Sequence, residues 1–110
     1  MILGRAQNKN GDIVILTETK LGNNIDITTT QRCTGLLDNN KKFIYEGDYI
    51  TDFDAFGKPY MSGYVKYNPT ITAFILVDCF GKEISGDTLG RLIWCRKAII
   101  EHKKSKYVRL

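Results

Sequence analysis

No uninterrupted apolar stretch in this chain is longer than Ala73 to Val77, and Asp78 ends that one at once. Runs this short fit strands of a small sheet and fall far below the roughly 20 apolar residues that span a bilayer. Between the runs stand turn formers: Asn10-Gly11, Asp38-Asn39-Asn40, Gly57 with Pro59, Asn68-Pro69 and Gly81. Glycine favours reversal by admitting positive φ, and Asn and Asp by bonding to their own main chain. Short strands separated by frequent reversals predict a mainly β fold: a small, strongly bent antiparallel sheet or SH3-like barrel.

Residues 12–18 are a β-branched run and read as a strand. Residues 25–33 alternate, with Ile25, Ile27, Thr29, Gln31 and Cys33 on one side and Asp26, Thr28, Thr30 and Arg32 on the other. The intervening "KLGNN" reads as a loop. After the 38–40 turn, "KKFIYEG" enters a strand, Gly47 supplies a positive φ or a bulge, and Asp48 opens "YITDF". Residues 60–67 form a strand with Gly63 at a bend, and residues 71–78, apolar on both faces, read as the most central strand. "CFGKEIS" returns through Gly81 as a hairpin.

The last quarter supports two readings. Asp87 can cap a helix that places Leu89, Leu92, Ile93, Arg96, Ile99 and Ile100 at helical spacing, while Ile93, Cys95, Lys97 and Ile99 also alternate as in a strand. The expectation is one short helix near 87–92 and a strand over 93–100, with helix as the open alternative there. Ile44, Val65, Phe74, Leu76 and Leu92 are expected to be buried. A chain of 110 residues is too short to divide, so residues 1–110 are read as a single domain without linkers or internal repeats, with 101–110 a candidate basic tail.

Little in the sequence points to catalysis. Cys33, Cys79 and Cys95 are odd in number and lack CxxC spacing, which argues against a disulfide framework or zinc site. The only histidine, His102, sits in a lysine-rich segment and is a poor partner for a nucleophilic cysteine. The carboxylates Glu46, Asp48, Asp52 and Asp54 are close enough in sequence to hold a divalent cation, but no third converging ligand is evident. They read as turn formers on a solvated rim. No GxGxxG, GxxxxGK[ST] or GxSxG pattern is present. The expectation is a protein that is not an enzyme and needs no cofactor or metal.

The net charge of +4 is unevenly placed: residues 91–110 carry +6, and the rest of the chain −2. Arg96, Lys97, Lys103, Lys104, Lys106 and Arg109, with Trp94 and Tyr107, are the candidate nucleic-acid-binding residues, because cations neutralise phosphates and aromatic faces stack on unpaired bases. Tyr60, Tyr64, Tyr67 and Phe74 would extend the stacking platform. Against this, tyrosines of small β domains commonly fill cores and cross-strand pairs, and lysine-rich termini are commonly just solvated.

The stretch "TGLLDNNKKFIYEGDYI", residues 34–50, resembles the pattern TGLxDxxGKxIYEGDIV of the YopX-like proteins of bacteriophages and prophages. The resemblance continues in register through "GRAQNKNGDIV", "GYVKYN" and "AFILVDCFGKEISGDTLGRL". Gln7 departs from it, standing where the family has an aromatic residue. So does the C-terminus, where "RKAIIEHKKSKYVRL" keeps Ile99 and Glu101 but puts lysines in place of a Pro-containing end. The resemblance implies a mostly β fold and an accessory protein of unassigned molecular function, with no catalytic residues to carry over. The polar N-terminus, lacking a secretory h-region, adds the expectation of a bacterial cytoplasm. The expected partner is a host or phage protein, with a homo-oligomer at an open sheet edge and single-stranded DNA or RNA as alternatives; no membrane is expected.

Overall fold

The computed structural model describes residues 2–17, 24–95 and 98–103. The strands are β1 (Ile2–Asn8), β2 (Ile13–Thr17), β3 (Ile25–Leu37), β4 (Phe43–Tyr45), β5 (Tyr49–Phe53), β6 (Pro59–Asn68), β7 (Ala73–Val77) and β8 (Ile99–His102). They form two four-stranded sheets, β2-β1-β3-β4 and β7-β6-β5-β8, antiparallel throughout. The mainly β class expected from the sequence is therefore present, but the barrel is not. Each sheet stays open, and the two meet through the β4–β5 connection, where Gly47 donates to the Val65 carbonyl (2.7 Å) and Val65 donates to that of Asp48 (2.9 Å).

One reversal is used again and again. Asn8, Asp38, Asp54 and Asp78 each open a five-residue turn in which one side-chain oxygen accepts the N–H groups two and four residues on, at 2.8–3.0 Å. The fourth residue takes a positive φ: 86° at Gly11, 65° at Lys41, 79° at Gly57 and 84° at Gly81. Three of these turns join β1 to β2, β3 to β4 and β5 to β6; the fourth returns β7 to the Val77–Glu83 bridge. "DAFGK" and "DCFGK" are near copies in the sequence, a repeat too short for a reading at domain scale to register.

The core is built mainly on the second sheet. Ile44, Ile50, Val65, Leu76, Leu89, Leu92 and Ile100 form one buried cluster, and Tyr64, Ile75 and Val77 form another with Tyr49 against it. Ile44, Val65, Leu76 and Leu92 are thus buried as expected. Phe74 is only half-buried, lying edge-on to Tyr67 with ring centroids 5.3 Å apart. β7 is apolar on both faces because each face meets a cluster, yet it is an end strand of its sheet rather than the central one. Among the described residues, those that pair beyond it are Glu83, through a bridge to Val77, and Ile84, whose N–H bonds to the Leu76 carbonyl at 3.0 Å.

Several local expectations are corrected. The helix near 87–92 forms two residues later than expected: Leu89 and Gly90 are α-helical, with the Leu92 N–H on the Thr88 carbonyl (3.1 Å), and Arg91–Cys95 continue as a π-helical turn. The Ala98 N–H then bonds the Leu92 carbonyl (2.8 Å), and strand pairing begins only at Ile99. Residues 93–95 are therefore not strand. Gly63 lies within β6 opposite Ile50 rather than at a bend, and the Ile84 side chain occupies the space a Cβ there would need. The alternation of β3 fails at its start: pairing jumps from Gln7–Asp26 to Arg5–Gln31, and residues 27–30 bulge out around the Asp26 carboxylate. Ile27 is consequently 80% exposed instead of sharing the half-buried side. β1 escaped the sequence reading because Gly4, Arg5 and Gln7 interrupt any apolar alternation. The "KLGNN" loop lies, apart from Asn24, outside the described residues.

Candidate functional site

The densest polar chemistry gathers where the two sheets meet. Asp38 opens the β3–β4 turn, and while its Oδ1 holds the N–H groups of Asn40 and Lys42, its Oδ2 lies 2.6 Å from His102 Nδ1. Asp48, in the corner between β4 and β5, places Oδ2 2.7 Å from His102 Nε2 and accepts the Tyr45 N–H at 2.8 Å. Its Oδ1 pairs with Arg5 of β1. Arg5 in turn donates from Nε to Gln31 Oε1 (2.9 Å) and lies over the Tyr45 ring, 4.5 Å from its centroid. An unbroken chain therefore runs Gln31–Arg5–Asp48–His102–Asp38, linking β1, β3, the β4–β5 corner and β8.

The backbone fixes this chain in place. The Asn39 N–H reaches the Ile100 carbonyl at 2.6 Å, tying the β3–β4 turn to β8. Gly47 has a φ of 92°, and a Cβ there would fall 2.1 Å from Gln31 Nε2, so both the backbone and the Gln31 amide require glycine.

Both ring nitrogens of His102 face carboxylates, so both donate and the imidazolium is the favoured form. The hydrogen bond to Asp48 is the largest influence; with Asp38 it outweighs burial and raises the His102 pKa above its ordinary 6.5. Burial alone would push Asp48 upward, but hydrogen bonds from His102 and the Tyr45 N–H, with the Arg5 charge, carry its pKa below 3.8. Asp38 behaves alike: burial raises it, and His102 with the Lys42 and Asn40 N–H groups more than offsets that. The site is an ion-pair network with alternating sign. An imidazole with both nitrogens engaged cannot pass a proton without breaking the network, so the arrangement suits joining elements better than acid–base work.

The sequence reading placed Asp48 and its neighbours on a solvated rim, and this is corrected. Asp48 and Asp52 are each only 7% exposed, Glu46 is half-buried facing Arg32 (3.7 Å), and Asp54 serves its turn. His102, read as part of a lysine-rich tail, belongs to β8 with Glu101. Among the described residues no trio of His, Cys, Asp or Glu is arranged to hold a metal ion. Cys33, Cys79 and Cys95 are free thiols, the last two exposed. The signal for the network was the aspartate ten residues after the first in "TGLLDNNKKFIYEGDYI", but nothing local pointed either one at a histidine over fifty residues away.

Of the candidate nucleic-acid-binding residues, Trp94 lies within the π-helical turn and is 70% exposed. Lys103 is exposed, its Nζ 5.1 Å from the Phe53 ring centroid. Arg96, Lys97, Lys104, Lys106, Tyr107 and Arg109 lie outside the described residues. The tyrosine platform does not form. Tyr64 is buried against Tyr49 with centroids 4.9 Å apart, Tyr67 is half-buried under Arg32, and only Tyr60 is exposed. No helix among the described residues is long and apolar enough to cross a membrane. Comparison with protein-family models, curated proteins and solved structures yields no match.

Proposed function

We propose that this chain is a YopX-like, phage- or prophage-encoded accessory protein that acts in the bacterial cytoplasm without catalysis, as a binding module for a host or phage protein. The observation that carries the binding role is the apolar surface left on the first sheet. Leu3, Ile13 and Ile15 are 40–48% exposed there, and Ile27 projects from the β3 bulge at 80%. Clustered apolar side chains exposed on a sheet with an open edge strand are the kind of surface a partner covers. A second copy pairing along β2 would cover it too. The YopX-like reading draws support from residues 34–50: the two aspartates of the pattern fall on Asp38 and Asp48, which clamp His102, and the second of its three glycines falls on Lys41, which carries the positive φ of its turn.

The test is affinity capture from nuclease-treated bacterial lysate. The expected result is one protein in stoichiometric amount, lost with Ile13→Asp plus Ile15→Asp. No capture, or capture indifferent to those changes, contradicts the reading.

A second reading, single-stranded nucleic acid, is favoured by the Lys103 ammonium beside Phe53 and by the exposed Trp94. It predicts a salt-sensitive gel shift that disappears when Lys103, Lys104, Lys106 and Arg109 are replaced by Gln.

A further inference from the structure

Three strand ends converge at one end of the second sheet. Phe53, the last residue of β5, pairs with Pro59, the first of β6, and with Ile99, the first of β8. The π-helical turn packs here as well, since Leu92 joins Phe53, Tyr60, Ala98 and Ile99 around a cavity of about 370 Å³, with Asp52 and Asp54 on its wall. Exposed aromatic residues accompany this end: Tyr60 on the cavity wall is 69% exposed, Phe56, next to Ala55 of the wall in the β5–β6 turn, 90%, and Trp94, two residues after Leu92 in the π-helical turn, 70%. Large aromatic groups held this far into water add nothing to the core, and three at one sheet end make a surface suited to flat ligands.

We propose that this end of the sheet binds single-stranded nucleic acid, with one unpaired base seated in the cavity against Tyr60 and Phe53 and its neighbours stacked on Phe56 and Trp94. This rests on the nucleic-acid reading above and gives it a place distinct from the tail. The cavity is of the size that small planar ligands occupy. Its apolar side is Leu92, Ala98 and Ile99, while a carboxylate wall accepts hydrogen bonds from amino groups on a base edge. Asp54 already receives two N–H groups on Oδ1, and a carboxylate offers about four acceptor positions. Lys58 in the same turn as Phe56, and Lys103 beside the Phe53 ring, supply positive charge for the flanking phosphates. A lipid surface fits less well, because a cavity walled by Asp52 and Asp54 offers a headgroup phosphate no cation, whereas a base edge brings neutral amino donors to the carboxylates and leaves its phosphates outside. A basic peptide meets Lys58, Lys103 and a chain of net charge +4. Cytosine and adenine carry exocyclic amino donors that thymine lacks, so the site favours oligo(dC) and oligo(dA) over oligo(dT).

Trp94 is the only tryptophan, so its fluorescence reports on this end of the sheet directly. The full chain is titrated with oligonucleotides of about 12 residues, a length matched to small single-strand sites. Expected are quenching of Trp94, tighter binding of oligo(dC) than oligo(dT), and weakening of about sevenfold between 50 and 200 mM salt, as two phosphate contacts require. Phe56→Ala and Tyr60→Ala, both at exposed positions and expected to melt like the parent, should each weaken binding roughly tenfold. If a gel shift persists while both variants bind like the parent, the site is wrong and the tail reading survives. If no oligonucleotide binds, both are wrong. Quenching only by phosphatidylserine vesicles or by an arginine-rich peptide overturns the proposal in favour of those ligands.

Discussion

Gly47 and Lys41 stand six residues apart and obey the same backbone rule with opposite success. Gly47 adopts a φ of 92° at no steric cost, and its missing Cβ leaves room for the Gln31 amide that orients Arg5. Gly47→Ala should therefore destabilise the protein by about 1–2 kcal/mol from backbone conformation alone, and by more if Gln31 is displaced. Chemical denaturation checks this, and an unchanged midpoint contradicts it. Lys41 adopts a φ of 65° with a full side chain in a turn where Gly11, Gly57 and Gly81 hold the equivalent place. Lys41→Gly should stabilise by about 0.5–1 kcal/mol, because relief of left-handed strain exceeds the entropy glycine adds to the unfolded chain. A lower melting temperature would show that the Lys41 side chain matters in a way its exposed position does not suggest.

At the scale of elements, the four Asx-opened turns set where strands begin and end, and the buried clusters decide which strand faces matter. Leu76 has no exposed surface, whereas Phe74 on the same strand is half-buried. Leu76→Ala should cost about 2–5 kcal/mol and Phe74→Ala only about 1–2, reversing the order that residue volume alone suggests. Urea titration of the two variants tests the ranking. β2, β6 and β7 were legible in the sequence because turn residues bound their apolar and aromatic runs closely on both sides. β1 was not, since Gly4 is dictated by close approach of the Gln31 carbonyl, a contact made by a distant strand. The bulge at 27–30 was hidden for a related reason: the Asp26 carboxylate accepts the Thr28 N–H and the Thr29 hydroxyl donates to the Asp26 carbonyl, so local bonds replace the ladder while the sequence pattern continues. The last quarter misled because residues 92–100 satisfy both periods, and the choice fell to the Leu92 and Ala98 contact.

For the whole molecule, the ion-pair chain through His102 matters most, because it fastens the last strand to the turn of one sheet and the corner of the other. Its two aspartates lay within the stretch that carries the family resemblance, but their common target was invisible from spacing. Asp48→Ala would leave Arg5 and His102 without their shared partner in a mostly buried site, an expected loss of about 3–5 kcal/mol by denaturant titration. The pH dependence follows from the signs of the shifts. His102 is raised when folded, so its contribution is complete below about 6.5 and is lost as pH climbs through the folded value. Asp38 and Asp48 are lowered when folded, so theirs is complete above about 3.8 and is lost as pH falls through the folded values. The network is strongest between roughly pH 4 and 6.5.

The most direct measurement is a pair of melting curves, at pH 5.5 and pH 8.5, for the parent and for His102→Gln. The parent should melt at a distinctly lower temperature at the higher pH, and the variant should melt lower than the parent at pH 5.5 while changing little between the two conditions. A parent that melts alike at both pH values, or a variant that keeps the full pH dependence, would show that His102 does not hold the two sheets together.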